Sequence, residues 1–245
     1  MSEGKNKESI WLNLGVNVIL PTIILMKAQK WLVSSGIIAQ ENAKPIYFFA
    51  IAIALPLFYG IYDLAKRGKW NIFSIFGILN VLLTGTIGLF ELSRGWIIAK
   101  EAGIPAILGL AVLISAYTKK PLVKILIYND TLLDTKKVAE ALEERNNTAK
   151  FFDALKGATI LISASFFASG IIQFFLAAMI YTENASAEEF NSQVGQMTWI
   201  SYLVVLLPCM AITAAALFKI LNAIKNLTGF SFEEVLSQEL RENKK

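Results

Sequence analysis

The sequence predicts an all-α membrane protein of six transmembrane helices with both termini on the cytoplasmic side. Three observations predict it. Of the 245 residues 55% are hydrophobic and 17% charged, and a soluble domain of this length could not cover so much apolar surface with so few polar side chains. Several apolar stretches approach the ~20 residues that cross a ~30 Å hydrocarbon core as helix. Lys and Arg also fall almost wholly in alternate segments between those stretches.

The first span is expected at Trp11–Trp31. It follows the polar MSEGKNKESI and runs into KAQKWLV without a small-residue cleavage site, so it reads as retained rather than removed as a signal peptide. The others are expected at Pro45–Leu64, Asn71–Phe90, Trp96–Tyr117, Ala158–Ile180 and Met197–Phe218. The chain then divides into a cytoplasmic N-terminus (1–10), a four-helix membrane core (11–117), a cytoplasmic amphipathic helical loop (118–157), helices five and six (158–218) and a cytoplasmic tail (219–245). In the loop, TKKPLVKILIYND sets basic residues around an apolar centre, the composition of an interfacial segment. DTKKVAEALEERNNTAKFFDALKG reads as polar helix, with Asp134 or Thr135 as its cap and Leu132, Val138 and Leu142 on its packing face.

Orientation follows from the basic residues. With the N-terminus inside, the cytoplasmic segments hold 18 of the 23 Lys and Arg, whereas the outer loop YTENASAEEFNSQVGQ holds none and carries three glutamates. Trp11 and Trp70 then fall at inner boundaries and Trp31, Trp96 and Trp199 at outer ones, where an indole sits among headgroups. The net charge of +4 is thus directed at the membrane surface rather than at nucleic acid.

Polar residues inside the spans mark the inward faces, because each needs a partner in hydrocarbon. Asn13 and Asn17 are one turn apart in the first span. Gly77, Asn80, Thr84, Gly88 and Glu91 share one face of the third. That pattern fits interhelical packing with hydrogen bonds, and it also fits a polar pathway. On the outer side Lys27, Glu91, Arg94, Lys100 and Glu101 form a charge cluster, either an ion-pair network anchoring helix ends or a vestibule for a charged solute or lipid headgroup. In it, Lys100 is expected to snorkel and Glu101 to pair with Lys27 or Arg94. On the inner side Asp63 and Arg67 stand one turn apart in YGIYDLAKRGKW. The order Gly60, Asp63, Arg67 faintly resembles the loop between helices two and three of major facilitator transporters, with the glycine three residues before the aspartate rather than four; a positive-inside turn is the simpler account.

Enzyme chemistry finds no foothold. With no His, Ser/His and Cys/His nucleophiles are excluded, and no nucleotide-binding glycine loop or GxSxG elbow is present. The one cysteine, Cys209, is expected as a buried small hydrophobe. No cofactor or metal is expected.

The order of NVILPTIILMK with Pro21 and Lys27, AKRGKW at 65–70, KEAGIP at 100–105 and LISAYTKKPLVK at 113–124 resembles the intracellular septation protein A family and its uncharacterised multi-pass bacterial membrane relatives. The resemblance covers residues ~15–130 and implies a place in the bacterial cytoplasmic (inner) membrane and a role in cell-envelope maintenance or septation through partner or lipid binding, with envelope or division proteins as partners; residues 131–245 extend beyond it. Two classes of function are therefore expected: a non-enzymatic envelope protein, or a small-solute or lipid transporter or flippase working as a homo-oligomer of six-span units.

Overall fold

The computed structural model describes residues 15–67, 72–118, 120–126, 128 and 133–236, with the backbone alone at 63–67, 72–78, 125–126 and 232. Asn13 and Leu132 lie outside the described residues, as do the side chains of Asp63 and Arg67. Among the described residues there is no strand, only an isolated bridge between Leu133 and Leu236. Five helical stretches are long and apolar enough to cross a membrane: Gly15–Ser34, Pro45–Tyr62, Arg94–Ala116, Thr148–Ile180 and Ala187–Thr228. The protein is therefore a helical, multi-pass type of chain.

The helices are α1 (Gly15–Ser34), α2 (Pro45–Arg67), α3 (Ile72–Leu89), α4 (Arg94–Ala116), α5 (Leu122–Leu126), α6 (Thr135–Glu144), α7 (Thr148–Ile180), α8 (Ala187–Val204), α9 (Leu206–Thr228) and α10 (Phe232–Val235). α1 is π-helical over Gly15–Ile19 and Ile24–Ala28, on either side of Pro21. The proline supplies no N–H to the Asn17 carbonyl, and its ring crowds that carbonyl, so the wider turn accommodates both. α8 starts on a capping box, in which the Ser186 hydroxyl accepts from the Glu189 N–H and the Glu189 carboxylate accepts from the Ser186 N–H at 2.8 Å.

Two compact units divide the chain: Met1–Ile104 with Ile171–Val205, and Pro105–Gly170 with Leu206–Lys245. In the first, α2 packs on α3, and α8 packs on α1 and α2. Its buried core joins Phe49, Ile87, Ile97, Ala177, Tyr181 and Met197.

In the second unit α6 packs on α9 and α10. The Asp134 side chain accepts from the Lys137 N–H and caps α6, while Val138, Ala141 and Leu142 are buried. The C-terminal segment returns to this helix: the Asp134 N–H donates to the Val235 carbonyl at 2.8 Å, and Val235 is fully buried. Phe151, Leu155, Ile220 and Ile224 complete the core. Cys209 is half-buried rather than fully buried, its thiol donating to the Ser165 carbonyl at 3.5 Å; in α9 it borders the α7 backbone instead of an apolar pocket.

Gly88 shows how tightly the first unit closes. A Cβ there would fall on the Phe49 ring and come within 2.8 Å of the Phe190 ring. Gly88→Ala should therefore lower stability in detergent by about 1–3 kcal/mol, the usual penalty of overpacking. Gly103→Ala, where nothing lies within 4 Å, should leave the thermal midpoint unchanged or raise it. Equal midpoints for the two variants would show that the rings do not close over Gly88.

Candidate functional site

Lys100 lies seven residues into α4, and its side chain is only 5% exposed. An ammonium has three N–H donors and no acceptor. Here all three are used: Thr84 Oγ1 accepts at 2.9 Å, Asn80 Oδ1 at 3.0 Å and Glu101 Oε1 at 2.8 Å. Thr84 in turn donates to the Asn80 carbonyl one turn back on α3, which turns its lone pairs toward the lysine. One turn beyond Glu101, Pro105 offers no N–H to the Glu101 carbonyl.

This arrangement corrects two expectations. Lys100 does not snorkel; its ammonium turns inward, because three acceptors in one place replace water better than a partly wet headgroup layer does. Glu101 pairs with its own neighbour rather than with Lys27 or Arg94. Adjacent helical residues point about 100° apart, but the four-carbon stem of lysine spans that angle. Lys27 is exposed and has no ion pair among the described residues.

Arg94, the first residue of α4, does other work. Its guanidinium donates to the Tyr181 carbonyl at 2.6 Å, to the Ala178 carbonyl at 2.5 Å and to Glu183 Oε1 at 3.4 Å. It therefore closes the C-terminal end of α7, where carbonyls lack intrahelical donors. Glu91 occupies the turn after α3 with φ +49°, exposed and with no side-chain partner among the described residues. Asn17 is half-buried in the first π turn. The charges expected in one cluster thus separate into a buried group around Lys100 and a more exposed group around Arg94.

A cavity of about 430 Å³ opens in the first unit, bordered by Phe49, Glu91, Arg94, Tyr181, Glu183 and Phe190. Phe190 packs against both other rings, at centroid separations of 5.7 Å to Phe49 and 6.0 Å to Tyr181. The Tyr181 hydroxyl is buried without a partner among the described residues. Tyr181 is one residue past α7; burial, and second the Glu101 carboxylate, push its phenol well above the usual range. Tyr181 thus borders the cavity and also feels the charge of Glu101. Sequence reasoning missed Phe49, Tyr181, Glu183 and Phe190. Only the absence of basic residues in the loop YTENASAEEF marked that segment as an outer surface.

Removing one member of a buried ion pair typically costs ~3–5 kcal/mol. Lys100→Gln should fall near the lower figure, since the Glu101 side chain keeps 14% exposure. A double-mutant cycle of Lys100→Gln with Glu101→Gln, read by thermal unfolding in detergent, should give a coupling above ~1 kcal/mol, whereas Lys27→Gln with Glu101→Gln should be additive within ~0.5 kcal/mol. Coupling to Lys27 and none to Lys100 would reverse the assignment.

No family model, no curated protein and no solved structure matches the chain, so its site stands on its own residues.

Proposed function

We propose that the protein is a six-span transporter or flippase of the bacterial cytoplasmic membrane, non-enzymatic, which takes a small charged solute or lipid headgroup into its outer cavity. The observation that carries this is the buried ammonium. Ionisable groups within membrane helices are expensive and mark pathways for ions, protons or substrates. This one has an adjacent carboxylate and two neutral acceptors, and that carboxylate acts on the phenol of Tyr181, which borders a cavity and has no hydrogen-bond partner among the described residues. A solute that engages Glu101 would release Lys100 to Asn80 and Thr84, and a pair that can re-form is suited to a cycle of binding and release.

The six spans are α1, α2, α3, α4, α7 and the α8–α9 stretch. The 18 residues of α3 extend about 27 Å at 1.5 Å per residue, close to the hydrocarbon thickness. The 33 residues of α7 extend about 50 Å, so its polar start, Thr148–Gly157, belongs to the cytoplasmic loop, as the positive-inside distribution requires.

Two measurements test this proposal. In a Cys209→Ser background, Glu41→Cys and Glu188→Cys should react with an impermeant thiol reagent in intact cells. Lys150→Cys and Lys225→Cys should react only after the membrane is opened; outside labelling of Lys150 would overturn the orientation. In proteoliposomes carrying a luminal pH dye, a panel of amino acids, organic cations and phosphate should include at least one solute that moves the signal, at least tenfold more slowly through Glu101→Gln. No flux with any solute, together with co-purification of division or wall-synthesis proteins, would replace transport with the envelope-partner function.

A further inference from the structure

Among the described residues, Lys124, Lys156 and Lys219 of the second unit form no ion pair. Lys156, on α7, lays its ammonium 4.3 Å from the Tyr117 ring centroid. Lys124, on α5, does the same over Phe152 at 4.6 Å. Phe152 and Lys156 are one turn apart on α7, so they share a face. Lys219, on α9, completes the group by resting its ammonium against Gly157, the residue after Lys156, where a side chain would collide with it. Glu143 on α6 lines the same cavity as Lys124, and among the described residues neither it nor Asp153 on α7 forms an ion pair with any of the three.

Cation–π contact holds an ammonium in place and strips part of its hydration without cancelling its charge. The result is a concentrated positive site that still seeks an anion. Its surroundings specify what kind. Tyr117 is 69% exposed, Phe218 beside Lys219 is 64% exposed and Phe152 is 39% exposed, which are surfaces that sit among lipid rather than water. Lys124 also borders an open, mainly apolar cavity of about 220 Å³, lined by Leu142, Phe151, Phe152 and Leu155 and, among polar residues, by Tyr128, Glu143 and Thr148. A free phosphate would leave that apolar space empty, whereas an anionic amphiphile fills it.

We infer that Lys124, Lys156 and Lys219 form a binding site for the phosphate of an anionic phospholipid, with Tyr117 and Phe152 positioning the ammonium groups and the adjoining cavity receiving apolar atoms of the lipid. Polybasic groups at an inner membrane surface attract anionic lipid in this way. The site is independent of the outer cavity. Only its assignment to the cytoplasmic leaflet rests on the proposed orientation, and binding in detergent is read without a leaflet, so failure of the orientation and failure of the site are separate results.

The test is native mass spectrometry of the purified full chain in detergent, titrated with phosphatidylglycerol or phosphatidylcholine. The wild type should retain phosphatidylglycerol at least fivefold better. Lys124→Gln, Lys156→Gln and Lys219→Gln combined should bring it down to the phosphatidylcholine level, while the corresponding triple arginine variant should keep it. Lys30→Gln with Lys44→Gln, in the first unit, should change nothing. If the triple glutamine variant loses its helical melting transition, each single variant should still lower phosphatidylglycerol retention at least twofold. Equal retention of the two lipids by the wild type, or undiminished retention in the glutamine variants, would overturn the site. Displacement of phosphatidylglycerol by millimolar inorganic phosphate would overturn its assignment to lipid.

Discussion

The ammonium of Lys100 has three hydrogens to place and, inside an apolar helical unit, only protein atoms to receive them. That requirement fixes the register of α3 against α4. Asn80 and Thr84 must stand one turn apart on the facing side, and Glu101 must follow the lysine directly. Any slip of α3 by one residue would rotate both acceptors by about 100° and leave a charge unsolvated, which is far more expensive than the loss of a single apolar contact. Small residues complete the fit: Gly88, one turn beyond Thr84, lets the Phe49 and Phe190 rings cross the same face.

The same demand for partners explains why Arg94 and Lys100 play different parts although both were expected in one cluster. The planar fork of arginine can reach two carbonyls and a carboxylate at once, and at the end of α7 it meets Ala178, Tyr181 and Glu183. Its charge is largely committed to closing a helix. Glu91 is left facing the cavity without a partner among the described residues. A cavity bordered by one committed cation, one uncommitted carboxylate and a tyrosine with a buried hydroxyl is chemically asymmetric, and asymmetry of that kind orients a bound group.

In the second unit the polar α6 lies over an apolar core instead of over a charge. Val138 and Leu142 enter a cluster with Leu155, Ile220 and Ile224, and the segment ending at Leu236 is tied back by the Asp134–Val235 hydrogen bond. Lys124, Lys137 and Lys156 around this core rest their ammonium groups on aromatic rings.

What the sequence determined by itself was the helical membrane class, because hydrophobic length and 3.6-residue periodicity are local properties of the chain. Asn80, Thr84, Lys100 and Glu101 could be singled out because polar side chains are conspicuous in apolar helices. Asp134 as a cap was equally legible, since capping depends on a residue and the backbone just after it. Tertiary structure alone decided who pairs with whom. Arg94 meets Glu183 across 89 positions, and Glu101 takes its neighbour Lys100 rather than Lys27 because long lysine stems bend toward whichever acceptors the packing of other helices supplies. Helical periodicity gives the direction in which a Cβ leaves its helix, but the end of a lysine lies several bonds further on, and its position is set by the helices that surround it.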